Sequence, residues 1–438
     1  MTYLLVNAPS TLGTRLVRSY SGGYGDVLDP DQAGTIFFPP LELLRLGTIL
    51  RAAGKDTLIL DWQAQETQLP AARPDGLVVT LSLPTLVEDS SFARNLRHRT
   101  QAERLIIVTS LTDPDITRTI LEKSGADLLV SPRNLADAAE FLLGSAQPSH
   151  LALPIDRSLL DHSPYRFEPL RRLDSKAETI TTMNAGYGCP YPCGYYCPYP
   201  AAEGSKFSAV SLDRLLAEFA QVESLGIGGV VFRDPVFSMD MNRTRDFCSE
   251  LLLAGLSIPW WCETRLDRLT PELLHHMRKA NCRGIEIGIE SGEASSQQRN
   301  TRKNLDLDRV VAIRDQAREL GIHIEFLFVI GLVGDGRENI VGTLEFIDRL
   351  DLRPEEFNLS TITAYPGTAF YKEANEKGWL AFKHDQLTGY DVNVRTDRLD
   401  FEELQFATAL GARLRSALSN NRPVNKIMDE ARDWMRSA

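Results

Sequence analysis

Thr179-Ile180-Thr181-Thr182-Met183-Asn184 runs directly into Ala185-Gly186-Tyr187-Gly188-Cys189-Pro190-Tyr191-Pro192-Cys193-Gly194-Tyr195-Tyr196-Cys197-Pro198. The first six residues read as a strand, and the rest as a loop of Gly, Pro and Tyr that carries three thiols. The chain's other cysteines, Cys248, Cys262 and Cys282, stand singly in apolar or helical surroundings, and Cys248 and Cys282 read as small core residues. In a reducing cytoplasm such a tight thiol group signals a metal centre rather than cross-links. Structural zinc prefers four ligands in close pairs, and no fourth Cys or nearby His accompanies these three. Iron–sulfur clusters are held by thiolates, usually four, so three leave one iron open to another ligand.

Working outward, the loop opens a βα series. Further candidate strands are Gly229–Phe232, Pro259–Cys262, Gly284–Ile289, His323–Ile330 and Phe357–Thr363, with helices at Leu212–Leu225, Arg243–Ala254, Pro271–Ala280, Asp308–Leu320 and Arg337–Leu350. Thr270-Pro271-Glu272 supplies an N-cap, a Pro at the first helical position and an acid in the first turn. Six parallel strands with crossover helices make an open partial barrel whose ligands gather at the carboxyl ends of the strands, where the cysteine loop also falls. Upstream, Tyr3–Val6, Thr57–Leu60, Gly76–Leu81, Leu105–Val108 and Asp127–Val130 are short runs rich in Val, Ile and Leu. Such runs suit strands buried on both faces of a parallel sheet. The predicted fold class is therefore α/β. Residues 1–145 form a doubly wound (Rossmann-like) domain, and 146–177 a connector punctuated by Pro148, Pro154 and Pro164 and wrapped over the surface. Residues 178–379 form the partial barrel, and 380–438 a helical region that includes Phe401–Leu418.

Composition narrows the functional classes. No apolar run approaches a membrane span and the amino terminus reads as a strand, so the expectation is a cytoplasmic protein with no membrane partner. A net charge of −11 argues against nucleic acid, which is bound through Lys and Arg, and agrees with a small, cationic substrate.

The ordered strand ends resemble the radical S-adenosylmethionine (SAM) superfamily, specifically members with an amino-terminal cobalamin-binding-type domain. The superfamily's usual spacing is Cys-x-x-x-Cys-x-x-Cys with an aromatic before the last Cys; here the last gap is one residue longer, and Tyr196 holds the aromatic position. Phe232-Arg233-Asp234-Pro235-Val236-Phe237, Trp261-Cys262-Glu263-Thr264-Arg265, Gly288-Ile289-Glu290-Ser291-Gly292, Ile330-Gly331-Leu332-Val333-Gly334-Asp335 and Ala364-Tyr365-Pro366-Gly367-Thr368 follow in the family's order. The resemblance implies a 4Fe–4S cluster on Cys189, Cys193 and Cys197, with SAM on the open iron. It also implies Tyr196 near the adenine, and Asp234, Glu263, Arg265, Glu290, Ser291 and Gly331 around SAM.

Pro39-Pro40-Leu41-Glu42-Leu43-Leu44 and Asp61 resemble the cobalamin-binding type. Yet Thr109-Ser110-Leu111-Thr112 replaces the family's Gly-Gly-Pro turn, and Ser131-Pro132-Arg133-Asn134 its Gly-Glu-Gly-type turn. Bulkier side chains there would crowd a ligand tail. Cobalamin is therefore doubtful, and the domain is expected to keep the fold without the cofactor. In cysteine spacing and size the chain then resembles radical SAM diol dehydratases of aminoglycoside biosynthesis. That implies abstraction of the 4′ hydrogen of a substrate such as paromamine and loss of the neighbouring 3′-hydroxyl as water. It also implies an electron donor such as flavodoxin or ferredoxin, and a separate NAD(P)H-dependent reductase for the resulting ketone. Glu325, Asp234 and Tyr365 are the candidate acid–base residues. His323 and Glu325 share one face of their strand, and Glu325 either faces substrate inside the barrel or pairs with Lys or Arg behind the sheet. The alternatives are a cobalamin-dependent radical SAM methyltransferase, marked by bound corrinoid, and a non-catalytic metal-binding scaffold, marked by zinc.

Overall fold

Unbroken Val, Ile and Leu runs lose least when both sheet faces are covered, and the five upstream runs do this in one parallel sheet. The computed structural model describes residues 2–10, 16–19, 24–27, 35–64, 68–147, 153–381 and 391–437. Strands β1 (Thr2–Asn7), β2 (Asp56–Asp61), β3 (Gly76–Thr80), β4 (Arg104–Val108) and β5 (Leu128–Val130) lie in the order β2-β1-β3-β4-β5. Alternate residues of β1 feed two cores. Tyr3 and Leu5 meet helices α1 (Leu41–Ala52) and α4 (Leu135–Leu143), while Leu4 and Val6 meet α2 (Leu86–Thr100) and α3 (Pro114–Ser124). The order reverses between β1 and β3, which makes the carboxyl ends of those strands the natural ligand crevice.

The second sheet is parallel and runs in chain order: β6 (Ile180–Met183), β7 (Gly229–Phe232), β8 (Trp260–Thr264), β9 (Cys282–Glu290), β10 (His323–Ile330) and β11 (Phe357–Thr361). Helices α5 (Leu212–Ser224), α6 (Met241–Leu253), α7 (Pro271–Lys279), α8 (Leu307–Leu320) and α9 (Arg337–Arg349) cover its outer face. Thr270 Oγ1 caps α7 by accepting the Leu273 amide at 3.1 Å. Helix α10 (Phe401–Ser419) lies so close to β11 that a Cβ on Gly411 would stand 2.3 Å from Leu359, and α11 (Asn425–Arg436) follows it. The α/β architecture is as read from the sequence, each element ending within about two residues of its expected bounds, the ordinary scatter of such ends.

The connector is a correction. Pro148 lies outside the described residues, but the stretch from Ile155 onward is not a surface wrap. Arg166–Phe167 pairs antiparallel with Ile36–Phe37, and Tyr165, Phe167 and Leu170 are almost fully buried in a core shared with Phe37, Phe38 and Trp261. Arg157 is 0% exposed and bonds Glu218 of α5 at 2.9 Å, a buried pair in which either partner alone would be costly. Cys248, Cys262 and Cys282 are buried in the barrel's outer core. Among the described residues no helix is long and apolar enough to cross a membrane.

Candidate active site

Three consecutive local devices hold the cysteine loop at the carboxyl end of β6. Gly188 sits at φ +77, and a Cβ there would stand 2.1 Å from the Lys206 carbonyl oxygen, so the turn into Cys189 requires glycine. Pro192–Tyr195 then winds a 3-10 turn, after which the Cys197 amide donates to the Cys193 carbonyl at 2.9 Å. Finally, Arg265 lies 3.7 Å over the Tyr191 ring and Arg302 lies 3.8 Å over the Tyr195 ring, fastening the loop to the barrel.

Cys189, Cys193 and Cys197 all line one cavity of about 1130 Å³, counted to its open mouth. Among the described residues no group of three or more His, Cys, Asp or Glu converges as a single metal ion demands. Burial pushes all three thiols up, Cys189 to about 11, so an iron centre would be what makes them thiolates. Arg265 lines the same cavity at 5% exposure, and its Nη1 has no partner among the described residues. Its Nε bonds Asp267 at 2.9 Å. A tethered guanidinium with a spare buried donor suits the carboxylate of SAM, and the thiols suit the cluster.

Tyr196, Glu263, Arg265, Glu290 and Tyr365 meet at this cavity. Tyr196 is fixed by its hydroxyl, which donates to the Thr301 carbonyl at 2.7 Å. Glu290 ends β9 at a break in register, in the left-handed region at φ +67, and bonds Lys303 at 2.5 Å. Lys303 also donates to the Gly288 carbonyl at 3.0 Å, and a Cβ on Gly288 would stand 2.5 Å from Lys303 Nζ. Glu263 accepts the Tyr199 hydroxyl at 3.3 Å, and desolvation, with Glu286 beside it, holds its carboxyl up to about 7.

Four expected residues lie outside the cavity wall. Asp234 is 1% exposed and accepts the amides of Ala185 and Gly186 at 2.9 and 2.5 Å, so it braces the turn out of β6. Ser291 is buried against Thr343 Oγ1 at 3.1 Å and accepts the Glu293 amide. Gly331 turns at φ +80 beneath Leu404. Glu325 does face the barrel interior, on the same side of β10 as Leu327 and Val329, but one level below the cavity wall. Sequence reasoning missed Lys303, Tyr199 and the polar wall of Asn358, Ser360, Thr361 and Thr363. For Asn358 and Ser360 the alternation along β11 was a usable signal.

The crevice of the amino-terminal sheet is partly occupied by the chain's own side chains. Arg18 reaches between the ends of β1 and β3, bonding Asn7 Oδ1 at 2.8 Å, Ser82 Oγ at 2.6 Å and Asp89 at 2.5 Å. Tyr24 is 0% exposed and donates to the Pro366 carbonyl of the barrel at 2.6 Å. Asp61 is engaged by Asn7 and by Tyr165, both at 2.8 Å. The space left there, lined by Arg18, Ser110 and Pro132, is about 570 Å³, half that of the barrel cavity. Ser110 and Pro132 also line an adjoining space of about 460 Å³ that reaches Asn184 and Arg233 of the barrel, so Arg18 and Tyr24 narrow the crevice without closing it.

Residues 183–347 match the family model described as Radical SAM superfamily. An uncharacterized methyltransferase of Pyrococcus horikoshii is 24% identical over 228 residues, 52% of this chain and 46% of that protein. The cytidylyl-2-hydroxyethylphosphonate methyltransferase of Streptomyces wedmorensis is 28% identical over 132 residues, 30% of this chain and 24% of that protein. The chain thus spans less than half the length of these curated relatives. Among solved structures, the radical SAM methyltransferase TsrM of Kitasatospora setae superposes at TM-score 0.62 and 16% identity, over 86% of this chain and 76% of that one. The cobalamin-dependent SAM radical enzyme OxsB superposes at 0.64 and 14% identity, over 100% and 70%. Both share the fold. The relatives' names weigh toward methyl transfer, the alternative reading of the sequence, rather than toward diol dehydration. The family whose model the barrel segment matches is thus the radical SAM superfamily, and the cofactors that match implies are a 4Fe–4S cluster and SAM.

Proposed function

We propose that this is a cobalamin-independent radical SAM enzyme that drives 1,2-diol dehydration of a small polar substrate, as in 3′-deoxygenation of an aminoglycoside such as paromamine. The observation that supports this reading is the crevice of the amino-terminal sheet, which Arg18 and Tyr24 narrow and so leave less room for a corrinoid. The cluster and SAM, when bound, supply a 5′-deoxyadenosyl radical that takes a hydrogen atom from the substrate. The chain's own residues do the rest. Tyr196, Tyr199 and Leu327 screen the cavity from water, and Asn358, Ser360 and Thr361 offer hydrogen bonds to sugar hydroxyls. Losing water from a 1,2-diol radical requires a proton to leave one hydroxyl and another to reach its neighbour. Glu263, held near 7, both accepts and returns a proton at neutral pH. One further electron and proton then close the product as a ketone, the electron coming from a reduced flavodoxin or ferredoxin.

Cobalamin-dependent methyl transfer is the second reading, favoured by the names of the curated relatives. An anaerobic reaction of cluster-reconstituted protein, SAM, reductant and paromamine, followed by mass spectrometry, separates the two. A product lighter by one water with formation of 5′-deoxyadenosine supports dehydration. A corrinoid visible spectrum on the purified protein, with a product heavier by one methylene, would move the assignment to methyl transfer.

A further inference from the structure

The space between the amino-terminal sheet and the barrel contains a buried cation without a counter-charge in contact. Arg45 of α1 is 3% exposed and lines the cavity of about 460 Å³ that leads from the crevice to the barrel. Its Nη2 donates to Asn184 Oδ1 at 2.6 Å, and its guanidinium lies 5.0 Å from the centre of the Tyr187 ring. Its Nε has no partner among the described residues. Asn184 is neutral and is itself committed, donating to the Arg233 carbonyl at 3.1 Å. A guanidinium taken out of water is costly to keep unless an anion meets it.

Two more guanidiniums line the same cavity, Arg133 from the turn after β5 and Arg233 from the end of β7. Arg133 belongs to the Ser131–Asn134 turn, so the side chains that narrow the crevice also bring positive charge to it. Among the described residues no salt bridge engages Arg45 or Arg133, and both act on Glu203 only from beyond contact distance. The Ser19 hydroxyl, on the same wall, is likewise buried without a partner among the described residues. Helix α1 starts there too. Its N-cap is Pro40, whose side chain caps nothing, so the positive end of the helix dipole is open to the space. Two carboxylates share the wall, Glu42 in the first turn of α1 and Glu203. Glu203 accepts the Gly188 amide at 3.1 Å, and burial holds its carboxyl up to about 8, so it is mostly protonated at neutral pH. Positive charge therefore prevails in this cavity.

The adjoining space of about 570 Å³ shares Ser19 and Glu42 with this cavity and adds an apolar wall of Val17, Phe37, Phe38 and Leu81. Arg233 stands between the two, its guanidinium 5.4 Å from the centre of the Phe38 ring. Forked guanidinium donors, a hydroxyl and a helix start suit a phosphoryl group, and the apolar wall suits an organic body attached to it. We infer that this interdomain space is a binding site for a small organic phosphate ester. Its phosphoryl group is held by Arg45, Arg133 and Ser19 at the start of α1, and its organic group lies against Phe37 and Phe38. Among the described residues the site shares no wall with the cysteine-lined cavity, and the inference stands whichever reaction the barrel performs.

The test is calorimetry on the cluster-reconstituted, SAM-bound protein, in which SAM engages the cations of the barrel cavity. The probes are phenyl phosphate, inorganic phosphate and benzyl alcohol. Phenyl phosphate should bind at least about tenfold more tightly than inorganic phosphate, which lacks the apolar group, and than benzyl alcohol, which lacks the charge. R45M and R133M should each weaken phenyl phosphate by about tenfold, the scale of one charge-assisted contact, and R133M should leave SAM affinity unchanged. No saturable binding of phenyl phosphate, or binding that R133M leaves undiminished, would overturn the inference. Inorganic phosphate or benzyl alcohol binding as tightly as the ester would overturn it as well. So would hydroxocobalamin that binds, by its visible spectrum, and displaces phenyl phosphate, since the space would then belong to a corrinoid. Should R45M, the more buried substitution, not fold, R133M in its half-buried turn still decides.

Discussion

Replacing Lys303 with Met would leave the Glu290 carboxylate as an uncompensated charge inside the barrel. The pair is 2.5 Å apart, with side chains only 9% and 11% exposed, so the loss belongs to the buried class at about 3–5 kcal/mol. The Gly288 carbonyl also loses its 3.0 Å donor, worth about 1 kcal/mol more. At about 2.1 cal/mol/K per residue, 438 residues melting together carry an unfolding entropy near 0.9 kcal/mol/K, so the melting temperature should fall by about 4–7 °C. The double variant K303M/E290Q removes the stranded charge and should recover most of that fall, while SAM affinity, measured by calorimetry on the reconstituted protein, stays impaired. A single-variant fall below about 1 °C, or a double variant with the summed effect of both singles, would refute the argument that the two side chains form one buried unit.

Gly188→Ala forces a Cβ into a left-handed position 2.1 Å from the Lys206 carbonyl oxygen, so the loop must shift; iron bound per chain should fall to under about half of wild type, as measured by metal analysis. Alanine at any one of Cys189, Cys193 or Cys197 should abolish the visible iron–sulfur absorption, and a variant that retains a full cluster would show that the replaced cysteine is not one of its ligands. Burial holds Glu203 and Glu325 up to about 8 and Asp234 and Glu263 up to about 7, so the folded chain binds more protons than the unfolded one. Their contribution is whole below the unfolded carboxylate range and is lost as pH rises through 7 to 8; the melting temperature of the metal-free protein should decline between pH 6 and 8.5, and a rise over that window would contradict these assignments.

The sheets were legible because strand burial writes itself locally: Leu77, Val78 and Val79 need covering on both faces whatever lies elsewhere in the chain. The thiols were legible because one loop carries them all. Glu286 was not, since only the register of β8, β9 and β10 brings it beside Glu263 and Glu325, and register is a property of the assembled sheet. Asp234 and Ser291 show the converse. Polar residues at strand ends also serve as braces for backbone amides, and sequence cannot tell a brace from a ligand when both stand at the barrel mouth. The connector misled because its prolines and charges advertise a loop, while Tyr165, Phe167 and Leu170, spaced among them, carry the burial.

The longer cysteine gap has a simple meaning in helical geometry. A 3-10 winding has three residues per turn and returns a side chain to the same face after three positions, whereas an α winding does so after about four. In this chain the Cys193 carbonyl receives both the Tyr196 amide at 3.1 Å and the Cys197 amide at 2.9 Å, so the turn passes from the first winding into the second just where the additional residue sits. The usual gap of two residues and the present gap of three are then two pitches of one screw, each bringing its second sulfur back to the side from which it left. What returns the second sulfur to the first is therefore the backbone bond that closes the turn, and the residue count follows from which bond that is.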